Sequence, residues 1–281
     1  MLEVKDLSFS YSNKPFIENM NFYVEKGEIF GFLGPSGAGK TTLQKILTGL
    51  LTTYKGSVRL GGIECKERNN RFYENIGVDF EFSTLYEKLT ARQNLEFFGS
   101  LYEKKIMSID EMLSEIGLLN DADKKVSTFS KGMRSRLNFI KALLHDPDIL
   151  FLDEPTSGLD PTNSQIMKDM ILQQKKEGKT IFLTTHHMMD ATELCDRVAF
   201  IVSGGIKALD SPYNLVMQKG AAKVEYTYND GHERKGECLL SNISEDGVLA
   251  NLIKENRIKS IHSSEPNLND IFIEITGRTL Q

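Results

Sequence analysis

Apolar positions along the chain follow two periods, and the changeovers mark its organisation. In the first third, short apolar runs alternate with glycines. Leu2–Phe9 and Phe22–Val24 read as edge strands. Glu28–Leu33 lacks polar alternation and predicts a strand covered on both faces. A glycine-rich turn follows, after which Leu43, Ile46, Leu47 and Leu50 recur at helical spacing within Thr42–Leu50. Ser57–Leu60 reads as a strand before the Gly61-Gly62 turn. The middle is helical. Thr90 with Gln93 and Ser108 with Glu111 form capping-box patterns that open helices towards Tyr102 and Ile116. A further helix runs from about Lys131 to His145 and stops at Asp146-Pro147.

Strand and helix then alternate: Ile149–Leu152, Gln165–Lys176, Thr180–Thr184, Met188–Leu194, Val198–Val202. That order predicts an α/β fold on a parallel sheet. After about Leu215 the pattern shifts again. Val224, Tyr226 and Tyr228 alternate with polar residues, Asp230-Gly231 is a hairpin signal, and Leu268, Ile271, Phe272 and Ile275 share a helical face before Gly277. Residues 1–215 are expected to form one domain with a helical subdomain at about 86–146, and 216–281 a small α+β accessory domain.

Composition narrows the function classes. The 281 residues carry 34 Lys and Arg against 39 Asp and Glu, a net charge of −5. Such a chain has no bulk attraction for nucleic acid or anionic lipid. Its longest apolar runs are a few residues, whereas a spanning helix needs about 20, and the N-terminal Met-Leu-Glu-Val-Lys-Asp lacks a signal-peptide layout. Cys65, Cys195 and Cys238 are scattered and odd in number, which fits reduced cytosolic thiols and no disulfide or zinc framework.

Three segments carry chemistry. Gly34, Pro35, Ser36, Gly37, Ala38, Gly39, Lys40 and Thr41 fit the phosphate-loop pattern G-x-x-x-x-G-K-[ST] between an expected strand and an expected helix. Glycines let backbone N–H groups converge on phosphate oxygens, and the following helix presents its positive end. Lys40 adds a point charge, the Thr41 hydroxyl suits Mg²⁺, and Thr42 is counted with the nucleotide-contacting set. Second, the strand Ile149–Leu152 ends in Asp153-Glu154, at the sheet edge where α/β proteins bind ligands. Asp153 suits the metal and Glu154 the role of general base; alone, such a pair is more often a solvated turn, and the phosphate loop beside it changes its meaning. Third, Phe129-Ser130-Lys131-Gly132-Met133 precedes a helix, offering a hydroxyl and free N–H groups at its start.

In this order and spacing the motifs resemble the ATP-binding cassette (ABC) ATPases. Ser130 and Gly132 match two positions of the family's signature, L-S-G-G-Q, while Phe129, Lys131 and Met133 depart from it. The resemblance implies a P-loop fold and a head-to-tail dimer enclosing two ATP molecules, with Ser130 and Gly132 capping the phosphate held by the partner. It further implies that Ser157–Asp160 is the D-loop touching the partner, that Asp160 belongs to the nucleotide site, and that His186, after Thr184-Thr185, is the switch histidine orienting Glu154. Tyr11 resembles the aromatic that stacks on adenine. Glu81 stands where most relatives have the Q-loop glutamine, and is expected at the metal. Glu81, the Ser-Lys-Gly-Met signature and the tail Glu265–Arg278 resemble the drug- and polyketide-exporter branch.

The implied function is the ATP-binding and ATP-hydrolysing subunit of a transporter, with ATP and Mg²⁺ as cofactors and export the expected direction. The implied partners are a separate transmembrane permease, docked around residues 82–100, and a second ATP-binding subunit in a homodimer, with no nucleic acid. The place is the cytoplasm, on the inner membrane face. The alternative is a soluble ABC-type ATPase serving a non-transport machine. No coiled-coil heptads or basic patch support that class.

Overall fold

In the computed structural model of the chain, which describes every residue except 13, 81–83, 220–222, 265 and 278–281, the alternating segment Leu2–Phe9 forms β1. It pairs antiparallel with β2 (Ile17–Val24), Val4 standing opposite Phe22. β3 (Ile29–Leu33) is buried along its whole length and feeds the phosphate loop and α1 (Lys40–Leu47). β4 (Lys55–Leu60) and β5 (Ile63–Glu64) complete a four-stranded sheet of order β2-β1-β4-β5. β1 is therefore interior and not an edge strand; its alternation reports one hidden face and is silent on lateral neighbours.

α2 (Asn70–Tyr73) leads into β6 (Ile76–Asp79). Three helices follow: α3 (Ala91–Gly99), α4 (Ile109–Glu115) and α5 (Lys131–Leu143). Thr90 and Gln93 close a complete capping box on α3, and Ser130 caps α5, accepting from the Met133 N–H at 3.2 Å. α3 stops short of Tyr102, with the weak helix formers Gly99 and Ser100 at its end.

The βα alternation then supplies β7 (Ile149–Asp153), α6 (Pro161–Lys176), β8 (Thr180–Thr185), α7 (Met188–Leu194), β9 (Arg197–Val202) and β10 (Gly205–Asp210). α6 begins four residues before the expected Gln165, because Asp160 caps it and Pro161 takes the first helical position. The six-stranded sheet has the order β10-β9-β3-β8-β7-β6, and β9, β3, β8, β7 and β6 run parallel. Every residue of β3, β7 and β8 is buried, as the unbroken apolar runs require. The register sets Leu33 beside Thr185 and Asp153 beside Thr184, so three carboxyl ends open on one place. Phe22 stacks on Phe30 at 5.6 Å and Phe30 on Phe182 at 5.9 Å, joining the two sheets in one core.

A second compact unit begins at Asp210. It contains α8 (Pro212–Lys219), β11 (Lys223–Asn229), β12 (Glu233–Leu239), α9 (Gly247–Lys254), β13 (Ile258–Ser264) and α10 (Leu268–Thr276). Its antiparallel sheet has the order β12-β11-β13, and Val224, Tyr226, Leu249 and Leu252 form its core. The unit starts upstream of the expected change at 215 because α8 packs against α10. Among the described residues no helix is long and apolar enough to cross a membrane.

Candidate nucleotide-hydrolysis site

The phosphate loop turns sharply between β3 and α1. Gly39 takes φ 112°, a left-handed region open to glycine and strained for other residues. Lys40 folds back along the loop: its Nζ donates to the Gly34 carbonyl at 2.6 Å and to Pro35 O at 3.2 Å. The ammonium is thereby held at the centre of the loop, and the first turn of α1 contains no acid to compete for an anion. Ser36, Gly37, Ala38, Gly39, Lys40, Thr41 and Thr42 line a cleft of about 210 Å³ together with Phe16, Asp153, Glu154 and His186.

The opposite wall comes from β7 and β8. Asp153 is buried; it accepts a hydrogen bond from the Thr184 hydroxyl, and its Oδ2 lies 3.5 Å from Thr41 Oγ1. Glu154, one residue on, has φ 52° and its carboxylate is almost fully covered. Its N–H donates to Thr184 O at 2.9 Å, which holds that backbone turn. Both carboxylate oxygens are engaged: Oε2 accepts from the Thr185 hydroxyl at 3.2 Å, and Oε1 is 2.8 Å from His186 Nδ1. A cation-bearing loop, a hydroxyl–carboxylate pair and a second carboxylate positioned by histidine thus share one cleft. His187 does not line the cleft; its ring lies beside that of His186, the centroids 4.3 Å apart and the planes tilted by 36°.

Tyr11 is exposed, and its hydroxyl is 3.0 Å from Thr42 Oγ1. Its ring meets Phe9 and Phe16 edge-on at 4.8 and 5.5 Å. Ser130, Gly132 and Asp160 do not line the cleft. Ser130 is exposed at the start of α5, and Asp160 caps α6, its carboxyl held below the usual range by the side chain and N–H of Asn163. Glu81 lies outside the described residues.

Two residues escape the sequence reading. Phe16 enters the cleft from an irregular loop with no periodic signal. Asp79, at the end of β6, is buried against α5, where Asn138 donates to it and Lys141 Nζ donates to Asn138 Oδ1 at 2.8 Å. Burial pushes the Asp79 carboxyl up to about 7, against the pull of Lys141 and Asn138, and the charge of Asp153 adds to the rise. A lone acid closing an apolar strand was its only sequence signal.

Comparison with known proteins decides the family. The ABC transporter family profile matches residues 17–157. A fluoroquinolones export ATP-binding protein of Mycobacterium tuberculosis is 45% identical over 284 residues, covering 100% of this chain and 94% of its own. This chain belongs to the ABC transporter family. It is similar along its whole length to the linearmycin resistance ATP-binding protein LnrL of Bacillus subtilis (30% identical, 100% of both chains). A Nod factor export ATP-binding protein I of Rhizobium meliloti is 33% identical, covering 100% of this chain and 89% of its own. Among solved structures, an ATP-binding subunit of an ABC transporter superposes with TM-score 0.70 at 29% identity, over 78% of this chain and 92% of that one. The dimeric cassette MJ0796 with ADP and Pi shares the fold, with TM-score 0.68 at 24% identity, over 75% of this chain and 98% of its own. As an ABC ATPase the protein binds and hydrolyses ATP.

Proposed function

We propose that this ABC ATPase powers export through a separate membrane permease, working as a homodimer with Mg²⁺ and two ATP molecules. The observation that carries the reading is the single cleft joining Lys40, Thr41, Asp153, Glu154 and His186. The names of relatives similar over the full length support the direction of transport.

The donors fit Mg²⁺. Thr41 and Asp153 offer one hydroxyl and one carboxylate 3.5 Å apart, hard oxygens of the kind that share the ion with phosphate and water. When bound, the ion neutralises charge developing on the phosphates. Lys40 leaves its carbonyl partners for the phosphate oxygens. Glu154 takes the proton of the attacking water, and Thr185 and His186 hold both of its oxygens in place. His186 has a constraint of its own. A neutral ring carries one N–H, so it donates to Glu154 or to phosphate; donating to both requires the imidazolium. The exposed Ser130 at the start of α5 and the D-loop Ser157–Asp160 lie outside the cleft, as expected of groups that serve the partner's nucleotide.

An exposed aromatic face on the helical segment supports a permease contact there. Tyr86, Phe97 and Leu101 are exposed, and Tyr86 meets Phe97 at 5.1 Å and Phe98 at 5.8 Å. Exposed large apolar groups clustered in this way mark a protein contact. A non-transport machine has no specific observation in its favour.

Glu154→Gln tests the assignment. It should keep ATP binding, lower turnover by about 10²–10⁴ and accumulate an ATP-bound dimer by size-exclusion chromatography. Near-normal phosphate release would reject Glu154 as the base.

A further inference from the structure

Under the reading above, Ser130–Gly132 and Ser157–Asp160 both address the nucleotide of the other subunit, so their spacing within one chain decides whether they arrive together. Asn163 spans that spacing. It stands in the first turn of α6, and its side-chain Nδ2 donates to Asp160 Oδ1 at 2.5 Å while its N–H donates to Asp160 Oδ2 at 3.2 Å. Its Oδ1 accepts from Arg136 Nη1, on α5, at 2.6 Å. The amide lies flat against Gly132. A Cβ at that position would sit 2.6 Å from Asn163 Cγ and Oδ1 and 2.9 Å from Nδ2. Two hydrogen bonds hold the short Asn163 side chain and a third holds its backbone N–H, so it has little room to yield. Gly132 needs no left-handed backbone, and it is buried in the chain itself.

We propose that Asn163 is a positioning residue that locks the signature segment to the D-loop, and that Gly132 is required to be glycine by this contact inside the chain. The proposal rests on the assignment of Ser130–Gly132 and Asp160 to the partner's nucleotide. Asn163 touches no reacting atom. It acts by holding Gly132 and Asp160 at a fixed separation, so that dimer closure delivers both loops in one movement. Arg136 supports it from α5; among the described residues its buried Nε has no hydrogen-bond partner, so the bond from Nη1 to Asn163 anchors the guanidinium.

A double-mutant cycle on the full chain tests this: Gly132→Ala, Asn163→Ala and the pair. Gly132→Ala is expected to lower kcat about tenfold or more and Asn163→Ala severalfold, a size typical of contacting residues. Binding of a fluorescent ATP analogue at the Lys40 site should be unchanged in all three. The decisive result is the pair. With Asn163 truncated, the alanine at 132 has space, so the double variant should turn over no more slowly than Asn163→Ala alone. Multiplied losses would overturn the proposal, because they would mean that the methyl offends the partner's phosphate and not Asn163. Full activity of Gly132→Ala would remove the assignment of the signature segment and overturn the requirement for glycine at this position. Unfolding midpoints then decide the contact alone: Asn163→Ala must recover the midpoint lost to the alanine at 132, and failure to do so overturns it.

Discussion

His145 sets up a pH dependence that can be worked through from its surroundings. The ring follows α5, is fully buried, and stacks on Tyr102 at 3.7 Å. Its Nε2 is 2.9 Å from Ile76 O at the start of β6, which makes Nε2 the protonated nitrogen, and its buried Nδ1 has no partner among the described residues. Adding a proton places a charge and an unmatched N–H in the core. Burial accordingly lowers the folded pKa from 6.5 to about 4, with Lys104 and Lys179 helping and the Ile76 carbonyl and Glu74 opposing. The unfolded chain therefore binds the proton first as pH falls, so stability is complete above 6.5 and is lost between 6.5 and about 4. At about 1.4 kcal/mol per pH unit, lowering the pH from about 7 to about 4.5 should remove about 2.5 kcal/mol. His145→Phe keeps a ring against Tyr102 but cannot titrate. Its loss of the bond to Ile76 O is a constant offset of about 1 kcal/mol. Urea unfolding of both proteins by circular dichroism across that range should show the wild-type advantage shrinking by that amount as acid is added, other carboxylates cancelling between the pair. A difference that stays flat with pH would refute the reasoning.

Three further outcomes follow from the site. Lys40→Ala should weaken nucleotide binding at least about tenfold, as expected for one lost charge-assisted contact; an unchanged affinity in a fluorescent-nucleotide titration would reject the phosphate role. His186→Ala should lower kcat by about 10²-fold while nucleotide affinity is preserved, and normal turnover would show that Glu154 needs no orienting partner. Phe97→Asp should leave the ATPase rate of the isolated subunit intact and abolish co-purification with the permease; continued co-purification would move the docking surface elsewhere.

The elements that build the site were legible because their signals are local. The phosphate loop is a contiguous pattern, and the unbroken apolar runs of β3 and β7 announce strands covered on both faces. Pairings distant in sequence were not legible. Asp79 and Asn138 are 59 residues apart, and neither segment advertises the other. The start of α6 was misplaced because Thr162, Asn163 and Ser164 carry no apolar spacing, although Asp160-Pro161 supplied a cap and a first-turn proline. β13, Ile258–Ser264, has little periodicity of its own and takes its order from pairing with β11. The interior place of β1 has the same origin: lateral neighbours are a property of the sheet, and alternation reports only its faces.

The left-handed backbone at Glu154 reaches beyond the reaction. A residue with a side chain holds that conformation at a cost of about 1–2 kcal/mol, which glycine would largely avoid. Glu154→Gly would relieve that strain but forfeit the bonds to Thr185 and His186 and loosen the unfolded chain, so it brings no net gain in stability. The contacts that aim the carboxylate are the same ones that hold its backbone in an unfavourable shape, so heat resistance and turnover are secured by one set of bonds.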